Sequence, residues 1–106
     1  MVVTAWCNGT PNRETGSGFG VRIRKADRDE HFHRDWDEVR LLLEGEDQYR
    51  RVSVSGESFW NDCPELRSQA IGQWFLLHGL SRWKPGYPPE FTLMRVADNH
   101  FTLSLP

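Results

Sequence analysis

Residues 58–86 read SFWNDCPELRSQAIGQWFLLHGLSRWKPG, the only part of the chain in which a helix start signal, a periodicity and a stop signal agree. Asp62 and Glu65 match the Asp-x-x-Glu pattern of a capping box, which satisfies the free N–H groups of a first helical turn. Gly79 is the stop signal, because glycine readily adopts the left-handed conformation that ends many helices. We therefore predict one helix over about residues 62–78.

The predicted helix has one apolar face. Its members recur every three to four residues, and they are Leu66, Ala70, Trp74 and Leu77, widened by Ile71 and Phe75. A face of this width is typical of a helix that covers a sheet. Burying it contributes roughly 1.5–3 kcal/mol per large side chain before entropic costs.

Runs of alternating apolar and polar residues predict strands around this helix. The six runs are residues 2–7, 19–25, 38–44, 48–55, 90–96 and 100–105. Residues 27–37 are highly charged, and we predict a loop in which Phe32 and Trp36 anchor the chain to the core. All of residues 1–106 are expected to form a single α+β domain with no second domain, because a chain of this length buries one core. The predicted order is β-β-β-β-α-β-β, in a mostly antiparallel, strongly curved and barrel-like sheet packed on the helix.

The composition of the chain argues against several classes of protein. The formal net charge of -2 excludes a global positive field, so binding to an anionic partner would need a local patch. Cys7 and Cys63 are the only cysteines, which is too few for a disulfide scaffold and indicates reduced thiols. No apolar run approaches the roughly 20 residues that cross a bilayer. We expect a cytoplasmic protein with no membrane partner, and we predict no cofactor.

Basic and aromatic side chains form the leading candidate site. Four arginines fall on polar strand positions and would form one basic sheet face if their strands are neighbours: Arg22, Arg24, Arg40 and Arg51. A Trp- and Pro-rich loop adds Arg82, Trp83, Lys84 and Tyr87. Guanidinium groups hold phosphates, and exposed aromatic rings stack on unpaired bases. The alternative interpretation is an ordinary solvated face, because acidic residues are plentiful.

Cys63 is the alternative catalytic residue. It stands at the predicted helix N-terminus, where peptide dipoles favour a thiolate, although the adjacent Asp62 and Glu65 oppose ionisation. No histidine is assigned as its base, and the competing interpretation is a buried structural cysteine.

His31 and His33 are the alternative metal ligands, since an extended segment would place both imidazoles on one face. A third protein ligand is not designated, whereas a catalytic zinc site commonly needs three. The competing interpretation is a pair of solvated loop histidines, and our primary prediction is that the chain holds no metal.

The glycines of residues 16–20, Gly-Ser-Gly-Phe-Gly, resemble in composition a loop that cradles phosphate. Such loops open a helix, whereas these glycines lead into a predicted strand, so we interpret them as turn and bulge residues.

These observations favour a non-enzymatic binding or adaptor domain. Nucleic acid is the first candidate partner and another protein the second, with the chain a monomer or weak homodimer. A small enzyme or redox protein built on Cys63, or a metal site at His31 and His33, is the alternative.

Overall fold

The computed structural model describes residues 1–106, which form seven strands and three helices. In chain order these are β1 (Val2–Cys7), β2 (Phe19–Arg22), α1 (Lys25–His31), β3 (Glu38–Leu43), β4 (Arg50–Ser53), α2 (Glu57–Trp60), β5 (Glu65–Arg67), α3 (Gln69–Leu77), β6 (Glu90–Ala97) and β7 (His100–Ser104). None of the helices is long and apolar enough to cross a membrane.

The strands form one sheet in the order β4-β3-β7-β6-β1-β2-β5. Only β3 and β7 pair in parallel, and every other neighbouring pair is antiparallel. The two outer strands, β4 and β5, contact each other, so the sheet curves almost into a barrel. The predicted α+β class, with a mostly antiparallel curved sheet on an amphipathic helix, is confirmed.

The interior of this curved sheet holds one core of 20 buried hydrophobic residues. At one end Phe75 of α3 stacks on Phe91 of β6, with ring centroids 5.1 Å apart. At the other end Phe32 stacks on Phe101 of β7 at 4.7 Å, and Trp36 contacts the same ring edge-on at 6.2 Å. The prediction that Phe32 and Trp36 anchor their segment to the core is confirmed.

Helix α3 begins at Gln69, so the predicted start near residue 62 is wrong. The N-cap is Ser68, whose hydroxyl oxygen accepts a hydrogen bond from the backbone N–H of Ala70 at 3.1 Å. Serine is among the residues that cap helices best, because its short side chain reaches these free N–H groups.

The residues expected to form the first turns of the helix belong to a strand instead. Glu65–Arg67 pair with β2, where Leu66 lies opposite Val21 and is fully buried. Asp62 is exposed and pairs with Lys25 at 3.1 Å rather than capping a helix. Burial of Leu66 in the sheet outweighs the local capping signal, because intrinsic helix preferences are small compared with the burial of a large apolar side chain.

The C-terminus of α3 follows the prediction. Gly79 has a φ of +69°, and the N–H of Leu80 donates to the carbonyl of Phe75 at 2.8 Å, as in a Schellman cap. Leu77, predicted on the buried face, is 78% exposed. The buried residues of α3 are Ile71, Gly72, Trp74 and Phe75. Because this face is centred on Ile71 and Phe75, Leu77 lies on the other side of the helix.

Lys25–His31 form a helix, so the loop predicted over residues 27–37 is wrong in its first part. The only buried residue of α1 is Arg28, whose guanidinium donates hydrogen bonds to the carbonyls of Phe59 at 2.9 Å and Asn61 at 3.0 Å. A charged side chain thus occupies the inward position at which an amphipathic helix usually has an apolar residue. Because α1 has no apolar stripe, its sequence looks like that of a solvated loop.

Candidate functional site

Outward side chains of β1, β2 and β5 form a surface that we call the β1–β2–β5 face. Val3 and Ala5 are buried, so the alternation of β1 turns Thr4 and Trp6 outward. The two adjacent rows across the three strands are Thr4–Arg22–Glu65 and Trp6–Gly20–Arg67. The face therefore combines one aromatic ring and two arginines around a carboxylate.

The carboxylate of this face is buried between the two arginines, and we call the three residues the Glu65 triad. Glu65 Oε2 accepts a hydrogen bond from Arg22 Nε at 3.2 Å, and Oε1 accepts one from an Arg67 terminal nitrogen at 2.7 Å. The side chain of Glu65 is 1% exposed, whereas those of Arg22 and Arg67 are 56% and 50% exposed. Two guanidinium groups on one covered carboxylate leave a local excess of one positive charge at the surface.

Trp6 and Arg67 contact each other across a glycine. The guanidinium carbon of Arg67 lies 4.7 Å from the centroid of the Trp6 ring, in cation–π geometry. Gly20 separates these two residues in the strand register, and a Cβ at Gly20 would lie only 2.3 Å from the carbonyl oxygen of Leu66. The absence of a side chain at Gly20 thus permits both close pairing of β2 with β5 and the contact of Arg67 with Trp6.

A cleft of about 390 Å³ opens beside this pair. Its polar lining consists of Asn8, Ser17, Arg67, Ser68 and Gln69, with the Trp6 ring as its main apolar wall. The far wall is the glycine loop of residues 16–18, which packs directly on α3: a Cβ at Gly72 would lie 1.8 Å from the carbonyl oxygen of Gly16. Gly16 and Gly18 have positive φ, as expected for turn glycines.

The fold puts the predicted strand arginines in two groups, one on either side of the contact between β4 and β5. Arg22 belongs to the Glu65 triad, while Arg40 and Arg51 are direct neighbours on β3 and β4, at the other end of the sheet order. Both lie near Glu38, whose Oε2 is 2.7 Å from Arg40 Nε and 3.7 Å from Arg51 Nε. We call Glu38, Arg40 and Arg51 the Glu38 triad. Arg24 is exposed immediately before α1 and makes no ion pair.

The predicted loop contributes one aromatic group near the β1–β2–β5 face. Tyr87 is 71% exposed and lines an open depression of about 480 Å³ with Thr4. The Lys84 ammonium lies 5.3 Å from the centroid of its ring. Trp83 is partly buried and packs edge-on against Phe19, with centroids 6.5 Å apart, so it seals the core. Arg82 is exposed and makes no ion pair.

Cys63 lies in the turn between α2 and β5, not at a helix N-terminus, because α3 begins only at Gln69. The helix dipole on which its predicted reactivity rested is therefore absent at this position. Cys63 and Cys7 are both free thiols and half-buried. The enzymatic role of Cys63 stays a prediction without that support.

The two predicted metal ligands have different neighbours. His31 lies with Asp27 and Glu30 on α1, with their nearest ligand atoms all within 4.8 Å of one another. His33 instead packs edge-on against Trp36, with ring centroids 4.9 Å apart. No group of three candidate ligands contains both histidines.

Trp6 and Arg67 were not among the predicted site residues. Trp6 occupies a strand with an ordinary alternating pattern, and Arg67 falls inside the stretch predicted to be helical. The two residues are far apart in the sequence, and only the pairing of both β1 and β5 with β2 brings them together. An outward-facing tryptophan at a polar strand position was the one signal available in the sequence.

Comparisons with models of protein families, with curated proteins and with solved structures found no match.

Proposed function

We propose that the chain is a non-catalytic nucleic-acid-binding domain that holds a single strand on its β1–β2–β5 face. The observation that carries the proposal is the half-exposed Arg67 side chain, whose guanidinium lies over the Trp6 ring, beside Arg22 and near the exposed ring of Tyr87. Aromatic rings interleaved with cations are typical of surfaces that bind single strands, where bases stack on rings and phosphates contact the cations.

The charge of the face favours an anionic partner despite the slightly negative chain. The negative charge of Glu65 is buried, and its two arginines keep about half of their side-chain surface in solvent. Each guanidinium has five N–H donors, so hydrogen bonds to Glu65 leave others free for phosphate oxygens. Lys84 adds a further positive charge at Tyr87, while Glu90 beside them is negative and limits the patch to a short strand.

Unpaired bases fit this face better than a duplex does. Trp6 and Tyr87 offer ring surfaces, and stacking on such rings contributes roughly 1–3 kcal/mol per base, but only for bases that are not already stacked in a helix. The elements of the face are strands and a loop, with no exposed basic helix of the length that enters a major groove.

The test is fluorescence anisotropy with labelled single-stranded and duplex oligonucleotides at low and moderate salt. We expect the single strand to bind more tightly, and Arg67→Gln to weaken binding about 5-fold and to lower the slope of log K against log salt by about 0.7. Arg51→Gln is the matched control, because it removes the same charge from the Glu38 triad. Amide NMR spectra establish that each variant is folded.

Lys84→Gln provides a second variant that cannot disturb Glu65. It should also weaken binding and reduce the salt dependence, because Lys84 lies on the surface loop. Equal losses from Arg51→Gln and Arg67→Gln would contradict binding at this face. Absence of binding to any oligonucleotide at low salt would reject the proposal altogether.

A second copy of the chain is the second candidate partner. The outer face of the central strands carries two adjacent uncharged rows, Leu42–Thr102–Met94 and Ser104–Thr92–Val2, in which Met94 is 58% exposed. Two such faces can meet without charge repulsion, as a two-fold contact requires. Sedimentation over a concentration series should then reveal a dimer that Met94→Lys abolishes. A monomer at all concentrations would exclude this partner.

A further inference from the structure

We propose that the cleft beside Trp6 receives one unstacked nucleobase and recognises its hydrogen-bonding edge. This inference rests on the proposed function and gives the cleft the role of holding a base, while the free N–H groups of Arg22 and Arg67 contact phosphate. The cleft, of about 390 Å³, is open to solvent, and its lining rather than its size distinguishes it from the other surface depressions. An aromatic wall and polar side chains together suit a flat aromatic ligand, whose ring stacks on the wall while its edge forms hydrogen bonds.

The stacking surface is the Trp6–Arg67 pair. One face of the Trp6 ring is covered by the Arg67 guanidinium at 4.7 Å, and the guanidinium plane itself is a surface on which bases stack. Arg67 donates from Nε and from one terminal nitrogen to Glu65 Oε1, at 3.3 and 2.7 Å. These bonds fix the orientation of the guanidinium before any ligand arrives, which lowers the entropic cost of binding.

Asn8 supplies a free donor to the cleft. Its Oδ1 accepts a hydrogen bond from the backbone N–H of Thr10 at 3.0 Å, and a backbone N–H can only donate, so the amide orientation is determined and Nδ2 is free. Gly18 packs against this amide so closely that a Cβ there would lie 2.7 Å from Oδ1. The donor is therefore held in place by the turn and by the glycine loop.

Gln69 supplies a free acceptor. Its Nε2 donates to the backbone carbonyl of Thr15 at 3.0 Å, and a carbonyl can only accept, so Oε1 is the oxygen left for a ligand. Asn8 and Gln69, which keep one free amide donor and one free amide acceptor, thus both line the cleft. Base edges present alternating donors and acceptors, and proteins that bind single strands read these edges with such groups.

The experiment is an amide-resolved NMR titration with the four uncharged nucleosides adenosine, guanosine, cytidine and thymidine, each up to millimolar concentration. Without phosphate, a nucleoside reports on base contacts, and shifts at Trp6 and Asn8 distinguish the cleft from the Tyr87 ring. We expect shifts of the Trp6 indole N–H and of the Asn8 side-chain amide, with different affinities for the four bases. A parallel titration uses one intact single-stranded oligonucleotide and the same strand with a single abasic position.

Two variants test the assigned roles. Asn8→Asp keeps the acceptor for Thr10 but replaces the Nδ2 donor by an acceptor, so the order of affinity for the four nucleosides should change. Gln69→Ala should weaken nucleoside binding about 5-fold, the equivalent of one hydrogen bond. Gln73→Ala is the matched control, because Gln73 also donates to the Thr15 carbonyl, at 3.3 Å, but does not line the cleft.

The outcomes separate this inference from the proposed function. If the oligonucleotide binds but no nucleoside shifts Trp6 or Asn8, and the abasic strand binds equally well, the cleft does not hold a base and the inference is overturned while the proposed function stands. If neither oligonucleotide nor nucleoside binds, both are rejected. Unchanged nucleoside preference in Asn8→Asp would also overturn the inference.

Discussion

The Glu65 triad and the Glu38 triad have the same composition, one glutamate and two arginines on neighbouring strands, yet they differ in burial and surroundings. The Glu65 carboxylate is 1% exposed and accepts directed hydrogen bonds from both arginines. Glu38 is 34% exposed, and its Oε2 accepts no hydrogen bond despite lying 2.7 Å from Arg40 Nε. The first triad is a hydrogen-bonded network, whereas in the second the two arginines flank a carboxylate oxygen that is itself buried but accepts no hydrogen bond.

The difference lies in what surrounds the charges. Glu65 lies where β5 approaches β4, beside Phe59, so the carboxylate is covered and its arginines are held in one orientation. Glu38 lies on the outer surface of the regular β3–β4 pair, where 34% of its side chain is exposed although its Oε2 atom is covered. Identical residue types therefore give an oriented network in one place and a partly exposed set of ion pairs in the other, because burial strengthens electrostatic contacts and hydrogen bonds fix their direction.

The largest effect is expected from Gly20→Ala, which breaks the packing that distinguishes the Glu65 triad. A Cβ 2.3 Å from the Leu66 carbonyl forces β2 and β5 apart, and we expect a loss of about 3 kcal/mol in the free energy of unfolding, measured by urea denaturation. Gly9→Ala is the control, because no atom lies within 4 Å of its Cβ position, and it should change stability by less than about 1 kcal/mol. Equal stability of the two variants would contradict the close approach of β2 and β5.

Glu65→Gln and Glu38→Gln compare the two carboxylates directly. The amide at residue 65 would turn N–H donors towards arginine donors in a buried site, so we expect a loss of about 2 kcal/mol in the free energy of unfolding. At residue 38 the same change weakens partly exposed ion pairs in which Oε2 accepts no hydrogen bond, and it should cost about 0.5 kcal/mol. Urea denaturation with a common m-value measures both changes. Similar losses at the two sites would show that burial does not separate the triads.

Trp6→Leu and Tyr49→Leu compare the aromatic neighbours of the two triads. Tyr49 packs against His100, 5.0 Å between centroids, and His100 lies opposite Arg40. Trp6→Leu removes one stacking surface, so its affinity for a single strand should be about 10-fold lower, as estimated from about 1.4 kcal/mol per base. Tyr49→Leu should leave the affinity within about 2-fold, on the same stacking argument. Anisotropy titrations of both variants measure the two affinities. A larger loss of affinity from Tyr49→Leu than from Trp6→Leu would contradict binding at the β1–β2–β5 face.

The smallest effect is expected from Arg67→Lys compared with Arg51→Lys. Lysine keeps the positive charge but lacks the planar fork that stacks on Trp6 and bonds Glu65, so Arg67→Lys should lower affinity about 3-fold with an unchanged salt slope. Arg51→Lys should have no measurable effect. A normal affinity for Arg67→Lys would mean that charge alone is needed at this position.

Local signals in the sequence predicted much of the fold. Gly79 ends α3 as expected, because the cap is made within one turn of chain. The hairpins β3–β4 and β6–β7 also lie where alternating runs and turn residues predicted them, since short connections favour pairing of neighbours. The α1 helix was missed because its inward residue is Arg28, and β5 was missed because the capping signal at Asp62 is stronger locally than a three-residue strand.

The candidate site was only partly visible in the sequence. Arg22, Lys84 and Tyr87 were identified from charge and aromaticity and lie on or near the β1–β2–β5 face. Trp6 and Arg67 were not, and nothing in a linear pattern relates residues that meet only through an intervening strand. The expected grouping of Arg22 with Arg40 and Arg51 depended on strand order, which alternation does not encode.

By itself, the sequence determined the class of the fold, the C-terminal cap of α3 and the strands with clear alternation, because these follow from interactions between residues close together in the chain. Tertiary structure alone decided that residues 65–67 extend the sheet, that Glu65 is fully covered while Glu38 stays partly exposed, and that the Arg67 guanidinium lies over the Trp6 ring. The physical reason is burial. Whether a polar group is covered, and by what, depends on segments distant in the chain, and burial sets the strength of each charge and hydrogen bond.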